Sequence, residues 1–168
     1  MQYTVRRAQT RDVRAIRALI DANVASGRLL DKATVTLYED IQEFWVACDG
    51  PDGPVIGCGA LHVMWEDLAE IRTIAVGGAH QGRGAGHQVV DALLATARQL
   101  GVGRVFVLTF AVPFFQRHGF EVIKGDAASP EVYAELLRSY DEGVAEFLDL
   151  DRVKPNTLGN TRMLLRLR

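Results

Sequence analysis

The sequence predicts a single α/β (α+β) domain over residues 1–168, with a mixed central sheet of about six to seven strands flanked by helices. Runs rich in β-branched residues alternate along the chain with segments of helical periodicity. A strand, helix, strand unit occupies the middle of the chain, and a glycine-rich loop joins its first strand to its helix. Because such a crossover connects parallel strands, the sheet should contain at least one parallel pair.

The N-terminal third is typical of a strand, two helices and a hairpin. Apolar residues recur at helical spacing over Val13–Val24, with Thr10 as the candidate N-cap, and a weaker helical set covers Val35–Phe44. Phe44–Cys48 and Val55–Val63 have the β-branched and aromatic content of antiparallel strands. The Asp, Gly and Pro residues between them predict a hairpin loop, not a domain boundary.

The middle of the chain gives the clearest pattern. Glu70–Val76 predicts a strand that runs into Gly77–Gly86, where five of ten residues are glycine. Apolar residues over Val89–Leu100 mark one face of a helix that Gly101 can end, and Arg104–Thr109 predicts a buried strand. We therefore expect the two strands to be parallel or nearly so.

The C-terminal part alternates again between helices and strands. Phe114–Gly119 predicts a short helix and Phe120–Ile123 a strand. The pattern is helical from Ser129 to about Leu148, and Met163–Leu167 can close the sheet as its last strand.

Composition and residue spacing argue against several classes of partner. The chain has 19 basic and 21 acidic side chains, a net charge of -2, so no nucleic-acid partner is expected. No apolar run approaches the roughly 18 residues of a membrane span, and the N-terminus lacks the apolar stretch of a signal peptide. We therefore expect a cytoplasmic protein without a membrane partner. Cys48 and Cys58 should then be reduced core residues, and no pair of histidines has metal-site spacing, so no metal is predicted.

The glycine-rich loop, residues 77–86, is the segment whose pattern indicates a ligand. A glycine-rich turn that opens a helix presents backbone N–H groups and the positive end of the helix dipole, which together bind phosphate. The dinucleotide pattern G-x-G-x-x-G fails in both registers, and the Walker pattern lacks its lysine. The pattern that fits is Gln81-x-x-Gly84-x-Gly86 after a strand. A tight turn that only lets helix and strand pack closely is the alternative.

This pattern resembles the acetyl-CoA pyrophosphate loop of the GNAT superfamily of N-acetyltransferases. The preceding strand and Phe114-Phe115-x-x-x-Gly119-Phe120 follow in the superfamily's order and spacing. Within the superfamily, residues 3–123 resemble the acetyltransferase domain of N-acetylglutamate synthases, in their short stand-alone bacterial form. Residues 126–159 depart from the longer two-domain synthases, whose kinase-like regulatory domain has no counterpart here.

The resemblance implies acetyl-CoA as cosubstrate and no metal. Backbone groups of the strand would hold the thioester and the pantetheine arm, and the loop would hold the pyrophosphate. The expected cofactor-binding residues are Ile74, Ala75, Val76, Gln81, Gly82, Arg83, Gly84, Ala85, Gly86, Phe114 and Phe115.

The resemblance also implies catalytic roles. Glu70 occupies the position of the general base, which removes the ammonium proton through water; a Glu70–Arg72 ion pair across a solvated face is the structural alternative. Phe115 stands where many members have a tyrosine general acid. Thr109 is the nearest family-matched hydroxyl, although a threonine there is also a good strand former. The coenzyme thiol, with a pKa near 8.5 like that of cysteine, can also leave without an acid.

A dicarboxylate substrate needs cationic anchors. By family position these are Lys32, beside Asp31, and less securely Asn160 and Arg162; strand parity adds Arg72 if no bulge intervenes. Solvated surface charge is the alternative for each of them.

The resemblance thus predicts transfer of acetyl from acetyl-CoA to the α-amino group of L-glutamate or L-glutamine, for arginine biosynthesis. A GNAT enzyme for another amine, such as a protein N-terminus, a drug or a polyamine, is one alternative, and a non-catalytic acyl-CoA-binding sensor is another. The presence of Glu70 at the position of the general base argues against a non-catalytic sensor. The cations Lys32 and Arg72 argue against a polyamine substrate, which would need carboxylates in its site. A homodimer is left open.

Overall fold

The computed structural model describes residues 2–24, 29, 31–148 and 159–167. Its strands are β1 (Thr4–Arg7), β2 (Phe44–Cys48), β3 (Val55–Trp65), β4 (Leu68–Val76), β5 (Arg104–Thr109), β6 (Glu121–Val122) and β7 (Thr161–Arg166). Its helices are α1 (Val13–Val24), α2 (Thr34–Glu39), α3 (Ala85–Gln99), α4 (Val112–Gln116), α5 (Pro130–Leu136) and α6 (Glu142–Phe147).

The described strands form one mixed sheet in the order β1-β2-β3-β4-β5-β7-β6. β5 pairs parallel with β4, with Leu68 opposite Arg104 and Glu70 opposite Phe106, and it pairs antiparallel with β7. The hairpin of β2 and β3 is antiparallel. The predicted fold class, the crossover and the hairpin are therefore confirmed.

The chain divides into two compact units. The first comprises Met1–His62 with Thr73–Thr96, and the second comprises Val63–Arg72 with Ala97–Arg168. Each unit has its own buried cluster of apolar side chains.

In the first unit, α1 packs its apolar face on the sheet. Val13, Ile16 and Ile20 recur at helical spacing and are buried together with side chains from α2, β2 and β3. Both cysteines lie in this core as thiols, as predicted, and burial raises the pKa of Cys58 to about 12. A protonated thiol in this setting is a core residue and no nucleophile.

The start of α1 differs from the prediction. Thr10 lies inside a 3₁₀ turn, Thr10–Asp12, that precedes the helix, so it is not the N-cap. The carboxylate of Asp12 instead accepts the backbone N–H of Gln9 at 2.7 Å and a two-pronged hydrogen bond from Arg6 at 2.7 and 2.9 Å. The guanidinium of Arg6 lowers the pKa of the Asp12 carboxyl below its ordinary value.

In the second unit, the core forms where α6 packs on the sheet. The rings of Phe106 and Phe147 meet edge to face at 4.8 Å, and Leu68, Val144 and Leu164 are buried around them. This buried cluster is completed by Met64 of β3, Leu136 of α5 and Leu148, just after α6.

The predicted helical stretch from Ser129 to Leu148 proves to be two helices, α5 and α6. Each begins at a capping side chain: Ser129 Oγ accepts the N–H of Val132 at 3.3 Å, and Asp141 Oδ1 accepts the N–H of Val144 at 3.0 Å. Periodicity alone cannot divide such a stretch, because both helices turn an apolar face toward the same core.

Candidate functional site

Thr73, within β4, has an unusual backbone conformation. This buried, β-branched residue has φ +60°, where residues of its kind are rarely found. Such a conformation costs about 1–3 kcal/mol and is typical of functional sites. The strand parity that the sequence prediction used for Arg72 assumes a regular strand, and the backbone of Thr73 departs from regular strand geometry.

Glu70 and Arg72 form an ion pair on the first half of β4. Arg72 Nε donates to Glu70 Oε1 at 3.0 Å, and the two side chains are 9% and 5% exposed. A Glu70–Arg72 ion pair on a solvated face is the structural alternative that the sequence predicts. The ion pair is present, but it is buried and not on a solvated face. Removing charges from water is costly, so a buried pair of this kind needs further hydrogen-bond partners.

The guanidinium of Arg72 has a second carboxylate partner. Arg72 Nη1 donates to Asp141 Oδ1 at 2.6 Å, and Asp141 precedes α6 in the same unit. Two protein carboxylates therefore occupy the donors that the prediction reserved for a substrate carboxylate. A guanidinium has five N–H donors, so these two contacts use part of its capacity and do not by themselves exclude a substrate carboxylate.

The predicted phosphate loop leads into α3. Gly82 and Gly84 have φ +73° and +92°, values open to glycine, and a Cβ at either residue would meet no protein atom within 4 Å. Ala85 and Gly86 form the first turn of α3, whose leading N–H groups lack partners within the helix. The loop thus has the open surface and the backbone donors that a pyrophosphate requires.

Three hydrogen bonds hold the start of this loop. The N–H of Gly77 donates to the carbonyl of Ile56 at 2.7 Å, and Gln81 Nε2 donates to the carbonyl of Val76 at 3.2 Å. A further hydrogen bond joins Tyr3 Oη and His80 Nδ1 at 3.2 Å. Gln81 therefore acts as a brace of the loop through its side chain, and sequence reasoning gave Tyr3 no such role.

A pocket of about 560 Å³ lies beside the loop in the first unit. Val76 and Gln81, two of the predicted cofactor-binding residues, line it together with Gly77, and small side chains of α1 form another wall. The lining is largely apolar, as a pantetheine arm requires. The residues present therefore fit acetyl-CoA.

The hydroxyl of Thr109 shapes the end of β5. Its Oγ accepts the N–H of Ala111 at 2.8 Å, and the residue is buried. This bond is a local turn contact of a kind common for threonine. The hydroxyl proposed for a catalytic role thus has a structural role, as acceptor of the Ala111 N–H.

Phe115 is buried in an aromatic cluster. Its ring meets Phe114 at 5.0 Å and Phe120 at 5.3 Å, both nearly edge to face. Phe114 is half-buried. The two phenylalanines of the family motif thus differ in access to a ligand, and Phe114 is the more accessible.

Lys32 lies on a segment held by Arg17 of α1. Arg17 Nη1 donates to the carbonyl of Lys32, and its guanidinium also pairs with Asp21 and Asp31 at 2.9 Å each. Lys32 itself is half-buried just before α2. The backbone before α2 is therefore fixed by a residue that the sequence pattern did not mark.

Arg162 is packed, not solvated. Its guanidinium lies 4.9 Å from the ring centre of Phe106 and 5.6 Å from that of Phe147, and Nη2 donates to the carbonyl of Phe147 at 2.7 Å. The alternative of a solvated surface charge is therefore wrong for Arg162. Asn160 lies half-buried just before β7.

Two of the missed residues, Asp141 and Arg17, act through contacts distant in sequence. For Asp141 a local signal existed, since an Asp ahead of a helical pattern is a capping signal, although it does not reveal the Arg72 contact. Across residues 2–24, 29, 31–148 and 159–167, the structure brings together no group of three metal-binding side chains. No helix of that part of the chain is long and apolar enough to cross a membrane.

Residues 28–120 match the model of the acetyltransferase (GNAT) family. The amino-acid acetyltransferase of Mycobacterium tuberculosis H37Rv is 61% identical over 163 residues, covering 96% of this chain and 92% of the relative. The crystal structure of Rv2747 from M. tuberculosis, in complex with CoA and NLQ, has a TM-score of 0.93 and 59% identity and covers 98% of this chain and 99% of that one.

The N-acetylglutamate synthase of Neisseria gonorrhoeae, complexed with coenzyme A and N-acetyl-glutamate, shares the fold at a TM-score of 0.78 and 24% identity. Its match covers 100% of this chain and 36% of the synthase. The resemblance drawn from the glycine loop and its flanking strands is confirmed. This chain belongs to the GNAT family of acetyltransferases.

Proposed function

We propose that the chain transfers the acetyl group of acetyl-CoA to the α-amino group of L-glutamate or L-glutamine. The observation that carries the proposal is a buried carboxylate, Glu70, held by Arg72 on the strand that leads into the glycine loop. The amino-acid acetyltransferase of M. tuberculosis, similar over almost its whole length, supports the substrate class. The related structure that holds CoA supports the cosubstrate.

Acetyl-CoA supplies the activated thioester. We assign its pyrophosphate to the backbone of residues 81–86 and its pantetheine arm to the pocket beside Val76, with Ile74 and Ala75 contributing backbone groups. The positive φ of Gly82 and Gly84 and the absence of protein atoms around them support this assignment.

Glu70 is proposed to accept the ammonium proton of the substrate through a water molecule. The neutral amine then attacks the thioester carbonyl, so that a C–N bond forms and the C–S bond breaks, and the proton that the new amide nitrogen loses ends on the departing thiolate to give the free thiol of coenzyme A. The thiolate can leave unassisted, since a thiol of pKa about 8.5 is a fair leaving group and Phe115 has no proton to give. Thr109 remains the candidate for a donor in this region.

Lys32 is proposed to bind a carboxylate of the amino acid. It lies on a segment that Arg17 holds in place through the backbone carbonyl of Lys32 and the carboxylate of Asp31. Arg72 is better placed to hold Glu70 than to bind substrate, because two protein carboxylates already contact it. We place the reaction in the cytoplasm, as a step of arginine biosynthesis.

The test is release of free thiol from acetyl-CoA by the purified chain across a panel of amines. The panel contains glutamate, glutamine, aspartate, a polyamine and a peptide with a free N-terminus. We expect glutamate or glutamine to give the highest kcat/KM. A higher value for the polyamine or the peptide would reassign the substrate. Binding of acetyl-CoA without turnover of any amine would identify a sensor.

A further inference from the structure

Asp141 lies where the sequence resembles the longer synthases least, yet its carboxylate contacts the arginine that holds the proposed base. Arg72 Nη1 donates to Asp141 Oδ1 at 2.6 Å, although 69 residues separate the two along the chain. Arg72 Nε donates to Glu70 Oε1 at 3.0 Å. One guanidinium therefore connects the proposed base to a side chain at the start of α6.

Asp141 is itself held in place. Its Oδ1 accepts the N–H of Val144 at 3.0 Å as the cap of α6, and its own N–H donates to Ser139 Oγ at 3.1 Å. The far end of α6 is tied down as well, because Arg162 donates to the carbonyl of Phe147 at 2.7 Å. The helix that presents Asp141 is thus secured at both ends.

Gly143 is an independent sign that this contact is built into the fold. A Cβ at Gly143 would lie 2.5 Å from Cζ of Arg72 and 2.7 Å from both of its terminal nitrogens. Gly143 does not have a positive φ, so its backbone conformation does not require glycine. A Cβ here would push the guanidinium of Arg72 aside, because that group packs directly against the backbone of α6.

We infer that Asp141 is a positioning residue for the acetyl transfer described above: it holds the guanidinium of Arg72, and Arg72 holds Glu70. This inference rests on the proposed function. The guanidinium of Arg72 is shared between the carboxylates of Glu70 and Asp141. It therefore orients Glu70 through a single hydrogen bond from Nε. Without Asp141, the guanidinium is free to turn its two-pronged face to Glu70 and to neutralise the base.

The first test compares three variants in steady-state acetyl transfer. Asp141→Asn keeps a capping oxygen for Val144 and removes the charge from Arg72. Gly143→Ala displaces the guanidinium, while alanine is a better helix former than glycine. The control, Ser129→Ala, removes the equivalent cap of α5, where Ser129 Oγ accepts the N–H of Val132.

We expect Asp141→Asn and Gly143→Ala each to lower kcat about 10- to 100-fold, the scale of one charge-assisted hydrogen bond, with the KM for acetyl-CoA unchanged within about twofold. Ser129→Ala should keep wild-type kinetics although its thermal midpoint falls. Wild-type kcat in Asp141→Asn would overturn the inference. So would equal losses in Ser129→Ala, since those would trace the effect to helix stability.

A double-mutant cycle tests whether Asp141 acts through Arg72. In an Arg72→Gln background, Asp141→Asn should cause little further loss of kcat, because the contact it perturbs is already gone. Losses that multiply in the double variant would show an independent role for Asp141 and would overturn the inference.

Failure of the proposed function gives a different result. If the wild-type chain acetylates an amine other than glutamate or glutamine, the same variants are measured on that amine, and the inference stands or falls on them. If the wild-type chain turns over no amine although acetyl-CoA binds, both the proposed function and the positioning role are overturned.

Discussion

At the scale of single residues, Glu70 combines deep burial with a charged partner. Its side chain is 5% exposed and receives a hydrogen bond from Arg72. In Glu70→Gln we expect kcat to fall roughly 100-fold or more near neutral pH, the scale of a general base, and the acidic limb of the pH–rate profile to disappear.

The matched control is Asp67→Asn, which breaks another Arg–carboxylate pair in the same unit, with Arg104 at 3.1 Å. This variant should keep wild-type kinetics. A wild-type pH profile in Glu70→Gln would return Glu70 to a purely structural role.

Lys32 permits a test of substrate selectivity. Loss of one charge-assisted hydrogen bond in Lys32→Ala should raise the KM for glutamate by about 10- to 150-fold and leave the KM for acetyl-CoA unchanged. A smaller effect on glutamine would place Lys32 at the side-chain carboxylate, and equal effects would place it at the α-carboxylate. Lys124→Ala removes an exposed lysine and should change neither constant. An unchanged KM for glutamate in Lys32→Ala would make Lys32 a surface charge.

At the scale of elements, the glycine loop is the part of the site that local sequence predicts best. Gly82 and Gly84 have positive φ where the chain turns into α3, and the side chain of Gln81 donates to the carbonyl of Val76 beside them. We expect Gly84→Val to abolish measurable binding of acetyl-CoA in calorimetry, because the side chain covers the backbone donors and strains the turn by about 1–3 kcal/mol.

The control for strain is Gly50→Val, at a glycine with φ +90° and open space around it in the hairpin loop. It should lose comparable stability and keep its affinity for acetyl-CoA. An affinity in Gly84→Val equal to that of Gly50→Val would contradict the assignment of the loop.

The turn before α1 predicts a dependence of stability on pH. Arg6 lowers the pKa of Asp12 in the folded state, so the folded protein binds this proton less tightly than the unfolded chain. The stabilisation is complete above the ordinary carboxyl pKa of about 3.9 and is lost as pH falls through the lowered value. In denaturant unfolding at pH 6, the free energy of unfolding of the wild type should be higher than that of Asp12→Asn by roughly 1 kcal/mol. The partial exposure of Arg6 keeps this difference small.

The difference in unfolding free energy between wild type and Asp12→Asn should shrink as the pH falls from about 4 through the lowered pKa of Asp12. A difference that stays constant over this range would show that Asp12 contributes through packing and not through its charge.

Elements were predicted best where a local pattern was long. The periodicity of α1 and α3 and the β-branched run of β5 located those elements closely. The division between α5 and α6 was not predicted, because both helices share one apolar period and the break depends on the cap at Asp141. The positive φ of Thr73 within β4 was not predicted either, since a β-branched residue favours regular strand.

At the scale of the whole molecule, acetyl-CoA should raise the thermal midpoint of unfolding. A ligand that binds the folded chain alone adds about 2.7 kcal/mol at 100 times its Kd, which corresponds to about 5–10 °C for a chain of this length. Differential scanning fluorimetry measures this shift. Adenosine, which lacks the pyrophosphate, should produce little of it, and an equal shift with adenosine would contradict the role of the loop.

The sequence by itself determined the features that depend on short stretches of chain: the fold class, the parallel crossover, the glycine loop and the family. Backbone chemistry at a helix start and the period of apolar residues are local properties, and both can be recognised without coordinates. Tertiary structure alone decided that the Glu70–Arg72 pair is buried, that Arg162 packs on aromatic rings, and that Asp141 joins Arg72 from 69 residues away. Burial and ion pairing depend on which distant elements the sheet brings together, and residue spacing within a single strand or helix does not specify that.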